Sequence, residues 1–253
     1  MTLEMFNLTG RVALVTGANT GLGQGIAVAL AGAGAEIVAV GRSSMDETAA
    51  AIAEAGGRMR PVKADLGDPA AAAHMFGEVW DEAGPVDILV NNAGIIRRGA
   101  AEDFSDADWD DVMAINLKTA FVLCRELGRR ALQAGRGAKI INIASVLSYQ
   151  GGIKVASYTA AKHGLAGITK TLANEWASRG INVNAIAPGY CVTNNTEAIR
   201  ADEARYTSIL ERIPAGRWGS PADIGGAAVF LASDAADYIH GVTLPVDGGW
   251  LAR

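Results

Sequence analysis

VALVTGANTGLG, residues 12–23, is the stretch that decides the fold. Four β-favouring residues run into a turn holding Gly17, Gly21 and Gly23, and an alanine-rich, helix-favouring segment follows. Strand, glycine turn and helix in that order open a βαβ unit. At such a turn the missing side chains let backbone N–H groups and the positive helix end approach a pyrophosphate. Asn19, Thr20 and Leu22 complete the loop. The spacing G-x-x-x-G-x-G differs from the G-x-G-x-x-G fingerprint, so alone it also reads as a structural turn. Its place between strand and helix supplies the context a dinucleotide site requires.

Outward from this turn, short β-rich runs alternate with Ala-rich helical stretches, the pattern of parallel βαβ units. Strands are predicted at 12–16, 36–40, 59–63, 88–91, 139–144, 182–187 and 242–246. Seven strands fit one doubly wound parallel sheet with helices on both faces, an α/β fold. With no Ser/Pro-rich linker or composition shift, residues 1–253 read as a single domain. Helix starts are expected at a Ser44–Glu47 capping box, at Asp68 before Pro69 and at Ser220 before Pro221. Pro245 confines the last strand to a sheet edge, where its absent N–H is not missed.

Half of the 253 residues are apolar, enough for a large core. The 22 basic and 27 acidic side chains are dispersed and sum to −5, which argues against nucleic acid. Cys124 and Cys191 match neither a CxxC nor a zinc pattern and fit a reducing compartment without a structural metal. The start, MTLEMFNLTG, has no basic region followed by an apolar one, and no apolar run approaches the roughly 18 residues of a membrane span. The expectation is a soluble cytoplasmic protein without a membrane partner.

Polar residues recur where strands end: Asp65 and Leu66 after the third, Asn91-Asn92-Ala93-Gly94 after the fourth, where such sheets bind ligands. Downstream stand Asn116, Ser145, Tyr158 and Lys162. Tyr158 and Lys162 are four apart in a helical segment and share a face. Oxidising an alcohol removes a hydroxyl proton as hydride leaves carbon, so a site needs a base whose conjugate acid can return the proton. A free tyrosine, with pKa about 10, is too weak an acid for this near neutrality. A cation about 4 Å away, at an effective dielectric of about 20, would favour phenolate by roughly 4 kcal/mol, about three pK units. Lys162 is expected to supply it, and Ser145 to donate to the substrate oxygen. Each residue alone also has an ordinary structural reading. His74, His163 and His240 show no nucleophile elbow or metal spacing.

Together, TGANTGLG, Asp65, NNAG at 91–94, Asn116, Ser145, Tyr158-x-x-x-Lys162, Pro188-Gly189 with Thr193, and Asp247-Gly248-Gly249 resemble the short-chain dehydrogenase/reductase family over nearly the whole chain. The resemblance implies a Rossmann-type sheet, a nicotinamide dinucleotide, hydride transfer to or from a carbonyl or alcohol, and commonly a homotetramer. It implies that the glycine loop, Asp65, Leu66, residues 91–94, Tyr158, Lys162, Pro188, Gly189, Cys191 and Thr193 hold the dinucleotide, with Lys162 on the nicotinamide ribose. It also implies that Asn116 anchors a water beside Lys162.

A closer resemblance, carried by DILVNNAGIIRR, DWDDVMAIN, KIINIASVLSYQGGI, RADEAR, RIPAGRWG and VDGGWLAR, is to the bacterial subgroup of 2-deoxy-D-gluconate 3-dehydrogenases and 2-dehydro-3-deoxy-D-gluconate 5-dehydrogenases. That implies a deoxy-hexonate substrate and, usually, NAD(H). The residues after the second strand leave NADP(H) open: Gly41 stands where NAD-preferring relatives often carry Asp, and the guanidinium of Arg42 suits a 2′-phosphate. A substrate carboxylate calls for a cation, for which Arg97 and Arg98 are candidates, with Gln150, Asn194, Asn195 and Arg217 as further polar groups. Residues at about 190–215, polar and helical from 196 to 212, are expected to form a lid. The stretch 248–253 carries an apolar pair expected to lie exposed at a subunit boundary. Gluconate 5-dehydrogenase, a 3-oxoacyl-thioester reductase and a non-catalytic dinucleotide sensor are the alternatives.

Overall fold

The protein is described from a computed structural model covering residues 3–253; Met1 and Thr2, the start of the N-terminal stretch read above, lie outside the described residues. Seven parallel strands, β1 (Val12–Thr16), β2 (Glu36–Gly41), β3 (Arg58–Lys63), β4 (Ile88–Asn91), β5 (Ala138–Ile143), β6 (Ile181–Pro188) and β7 (Thr243–Val246), form one sheet in the order β3-β2-β1-β4-β5-β6-β7. The helices between them are α1 (Gly21–Gly32), α2 (Asp46–Glu54), α3 (Pro69–Ala83), α4 (Asp106–Met113), α5 (Ala120–Gln133), α6 (Ala156–Trp176), α7 (Glu197–Arg200), α8 (Glu203–Leu210) and α9 (Pro221–Ala232).

Strand periodicity divides the core. Ala13 and Val15 of β1 face one side, where Ile26 and Leu30 of α1, Ile52 of α2 and Ile224 and Leu231 of α9 cover them. Leu14 faces the other, against Phe76 of α3, Leu123 and Leu127 of α5 and Trp176 of α6. With both faces covered, β1, β2 and β4 are largely apolar runs without alternation. Each fully buried Leu, Ile or Phe contributes about 1.5–3 kcal/mol relative to exposure.

The expected caps hold at two of three starts. Asp68 accepts the Ala70 N–H at 2.8 Å ahead of Pro69, and Ser220 forms a reciprocal box with Asp223. The Ser44–Glu47 box does not form: α2 starts after Met45, and the Ser44 hydroxyl takes the Asp46 N–H at 3.2 Å instead. Two adjacent acids, Asp46 and Glu47, then lie in the first turn and complement the helix dipole without the box. Pro245 pairs in register with Ala187 on the edge strand β7, as its chemistry requires. Chain order reverses on either side of β1, which opens a crevice beyond the carboxyl ends of β1 and β4. Among the described residues no helix is long and apolar enough to cross a membrane.

Candidate active site

That crevice is a cavity of about 910 Å³. One end is walled by the β1–α1 turn. Gly17 has φ +64°, and a Cβ there would stand 3.0 Å from Ala93 Cα. A Cβ at Gly23 would overlap the Gly17 carbonyl oxygen and the Asn92 amide, so only glycine lets the helix start pack under the turn. The Thr16 hydroxyl accepts the N–H groups of Asn92 and Ala93, each at 3.0 Å, and Asn92 Nδ2 donates to the Thr16 carbonyl at 2.9 Å. These bonds weld the ends of β1 and β4. No side chain caps α1 at Thr20, so its first N–H groups are available to an anion.

Gly17, Asn19, Thr20, Gly21, Leu22, Arg42, Asp65, Leu66, Asn92, Ala93, Gly94, Pro188, Gly189, Cys191 and Thr193 all line the cavity. Two residues expected there do not. Gly23 acts from beneath, through the close approach just described, and Asn91 is buried with its Nδ2 donating to Asn142 Oδ1 at 2.9 Å and to the Ala120 carbonyl at 3.3 Å. Side chains alternate along a strand end, so of the two asparagines only Asn92 faces the crevice. Both cysteines are free and buried; burial pushes the Cys191 thiol up to about 11 and Cys124 to about 12, so neither is a thiolate near neutrality. Among the described residues no cluster of His, Cys, Asp or Glu could hold a metal ion.

In the middle of the cavity, Ser145 follows β5, and Tyr158 and Lys162 project from α6. Lys162 is buried, its Nζ donates to the Ile143 carbonyl at 2.6 Å and lies 5.4 Å from the Tyr158 ring centre. Burial lowers the Lys162 amine to about 8. The phenol differs from expectation: burial raises Tyr158 to about 12, outweighing the Ser145 hydrogen bond and the Arg98 charge that pull it down. Desolvation of the phenolate therefore decides the balance, and the groups that oppose it are Ser145 and Arg98, where Lys162 was expected. Asn116 sits in a π-helical turn (Ala114–Thr119) between α4 and α5. Its Oδ1 accepts the Ile95 N–H at 2.8 Å and its Nδ2 donates to the Ile95 carbonyl at 2.9 Å. Both amide atoms thus hold the loop after β4, and Ile95 of that loop lines the cavity.

Arg98, Gln150, Asn194 and Asn195 line the cavity as well, and Asn194 Nδ2 donates to the Thr20 hydroxyl of the glycine turn at 3.5 Å. Arg98 donates to the Asn195 carbonyl at 3.2 Å, and Gln150 Oε1 accepts the Trp250 indole N–H at 3.2 Å. Arg97 and Arg217 are corrections. Arg97 pairs with Asp108 at 3.2 Å and Asp111 at 3.4 Å on α4, outside the cavity; Arg217 makes a two-pronged bond with Asp223 at 2.7 and 2.8 Å and fixes the start of α9. In their place are residues the sequence did not single out: Arg205 and Ser208 of α8, Arg212 beyond it, and the rings of Tyr190 and Trp250. The only hint lay in RADEAR and RIPAGRWG, segments without a motif. Trp250 is buried, not exposed: its ring lies 4.7 Å from Tyr190, and a cluster of Ile209, Ile213 and Trp218 packs with it under the short helices.

Residues 17–251 match the short-chain dehydrogenase family model described as Enoyl-(Acyl carrier protein) reductase. The 2-dehydro-3-deoxy-D-gluconate 5-dehydrogenase of Dickeya dadantii (strain 3937) is 56% identical over 253 residues, 100% of both chains. The enzyme of that name from Escherichia coli (strain K12) is 53% identical, again over 100% of both. A crystal structure from Agrobacterium tumefaciens, provisionally named a 2-deoxy-D-gluconate 3-dehydrogenase and carrying bound NADP, superposes with a TM-score of 0.94 at 61% identity, covering 98% of this chain and 99% of the other. With the parallel sheet, its glycine turn and the Ser145, Tyr158 and Lys162 cluster at the crevice, these similarities establish that the chain belongs to the short-chain dehydrogenase/reductase family.

Proposed function

We propose that this protein is an oxidoreductase that interconverts the keto and hydroxy forms of a deoxy-hexonate sugar acid with a nicotinamide dinucleotide, in the manner of a 2-dehydro-3-deoxy-D-gluconate 5-dehydrogenase or 2-deoxy-D-gluconate 3-dehydrogenase. The carrying observation is one cavity that joins a glycine turn able to seat a pyrophosphate, a serine–tyrosine–lysine cluster, and an end rich in arginine. When bound, the nicotinamide supplies or accepts the hydride.

Tyr158 is the general acid and base in this reading. Its raised pKa keeps the phenol protonated in the protein alone, suited to giving a proton to a carbonyl oxygen in reduction. In oxidation, positive charge gathered beside it by Lys162, Arg98 and an oxidised nicotinamide ring would offset the burial that opposes phenolate. Ser145 would donate to the reacting oxygen, and Lys162, already donating to the Ile143 carbonyl, would hold the nicotinamide ribose. Asn116 holds the Ile95 loop that borders the site.

Gly41 supports NADP(H) as a substrate of at least equal standing with NAD(H). Gly41 supplies no carboxylate to hold a ribose 2′-hydroxyl, a Cβ there would crowd Asn19 Oδ1 at 3.0 Å, Asn19 Nδ2 donates to Ser43 at 2.7 Å, and Arg42 lines the cavity. Residues 190–215 are proposed as the lid, a single domain as the folding unit, and a homotetramer as the working form, for which Trp109 on α4 and Phe121 on α5 offer exposed apolar surface. Free Cys124 and Cys191 suit a reducing cytoplasm. A 3-oxoacyl thioester brings no carboxylate to the arginines, which favours the sugar acid. Initial rates with NAD(H) and NADP(H) against keto-deoxy sugar acids, gluconate and acyl thioesters test the reading: turnover confined to acyl thioesters, or none with any, would refute it.

A further inference from the structure

Among the residues that line the cavity, the only carboxylate is Asp65, at the dinucleotide end. Besides Arg42 near the glycine turn, Arg98, Arg205 and Arg212 line the cavity walls. Among the described residues none of the three has an acidic partner within 4.0 Å, whereas their neighbours Arg97 and Arg217 both do. Three unneutralised guanidinium groups around one concavity repel one another, and an anionic ligand relieves that repulsion.

The three are not equivalent. Arg98 acts on Tyr158, lowering its pKa, and its guanidinium is engaged by the Asn195 carbonyl. Arg212 instead lies against Trp250, whose ring centre is 4.7 Å from that of Tyr190, and the charges of Arg205 and Arg212 both pull the Tyr190 phenol down. Arg205 lies on α8 and Arg212 in the turn that follows it, and both side chains line the cavity. The Arg212 guanidinium lies 4.0 Å from the centre of the Trp250 ring. That ring is itself fixed, by the Gln150 bond and by Tyr190. A guanidinium stacked on an indole has its face covered and its in-plane donors free, the state suited to a two-pronged grip on a carboxylate.

We propose that Arg205 and Arg212, carried by the lid, are the specificity residues that recognise the substrate carboxylate, with Trp250 as the platform for Arg212, while Arg98 stays at the reacting end. The assignment rests on the sugar-acid reading above and makes the lid a carboxylate sensor: its positive charge is drawn over the cavity only by an anionic substrate.

The test is calorimetric binding of tartrate, a small hydroxy-dicarboxylate, and of its neutral dimethyl ester to the full chain saturated with NADP, alongside kinetics with keto-deoxy sugar acids. Tartrate should bind wild type at least about tenfold more tightly than the ester. Arg205→Gln and Arg212→Gln should each weaken tartrate about tenfold, the scale of a lost charge-assisted bond, without changing ester or NADP affinity. With sugar acids the same variants should raise KM and leave kcat within about twofold, while Arg97→Gln changes neither. Unaltered tartrate binding in both variants, or an equal loss for the ester, overturns the proposal. If the variants lose tartrate discrimination but wild type turns over no keto sugar acid, the lid site stands and the sugar-acid reading falls. If wild type turns over sugar acids and the variants match it, the lid assignment alone falls.

Discussion

The two ends of the cavity are built in opposite ways. At the dinucleotide end the walls are strand termini, and the polar side chains are engaged by the protein itself: Thr16 with Asn92 and Ala93, Asn92 with the glycine turn, Asn19 with Ser43. At the substrate end the walls are short helices, and Arg205 and Arg212 are exposed without acidic partners. The first end is pre-organised for a ligand whose shape never varies. The second keeps its charges uncompensated and so gains from whichever anion arrives.

The largest expected effect lies where the two ends meet. Tyr158→Phe should reduce kcat by about 10³-fold or more, within the range for a lost general acid, while dinucleotide affinity by fluorescence titration changes less than about threefold. Retained turnover would move the proton chemistry elsewhere. Next is Lys162, whose amine is lowered by burial to about 8 from an ordinary value near 10.5. A depressed amine stabilises the fold above its unfolded pKa and loses that contribution as pH falls through about 8. Burial of Cys124, Cys191 and Tyr158 works in the opposite sense above about pH 9, so the signal is a difference: in urea unfolding, the stability of wild type relative to Lys162→Met should rise between about pH 8 and 10.5, by up to about 3 kcal/mol. A difference that stays flat would assign the pH dependence to another group.

Gly41→Asp sharpens the contrast at the rigid end. The new carboxylate must displace Asn19 and repel a 2′-phosphate, so the NADP/NAD ratio of kcat/KM should fall about tenfold or more. An unchanged ratio would show that Arg42 and Ser43 do not face the adenosine ribose. The smallest effect is expected at Arg97→Ala. It removes an exposed ion pair with Asp108 and Asp111, so stability should fall by less than about 1 kcal/mol and KM for a sugar acid should change less than twofold. Arg98→Ala, one residue away, should change catalysis instead.

The same division governs what could be read from the sequence. The strands were legible almost to the residue, because a two-sided parallel sheet demands apolar runs and the turns between them carry glycine, proline and capping residues. Tyr158 and Lys162 were legible as neighbours because four residues span one helical turn, whereas the glycine turn and Ser145 were legible through their places after strands and through the family resemblance. Arg97 and Arg98 could not be told apart, since which of two adjacent residues faces the crevice depends on where α4 places Asp108 and Asp111. Arg205 and Arg212 looked like ordinary polar helix residues. Trp250 looked like an exposed tail because its partners, Tyr190 and Gln150, lie 60 and 100 positions earlier. The balance at Tyr158 was misjudged for a related reason: spacing places the amine nearby, but burial, a property of the whole fold, sets the phenol.

The guanidinium of Arg253 donates to the Glu211 carbonyl at 2.6 Å, one residue before Arg212. The polypeptide is thus stitched at that point to the mouth of its own reaction chamber. Whatever continues the chain past Arg253, an affinity handle or a fused reporter, emerges there, and kinetics measured on such a fusion will carry its imprint.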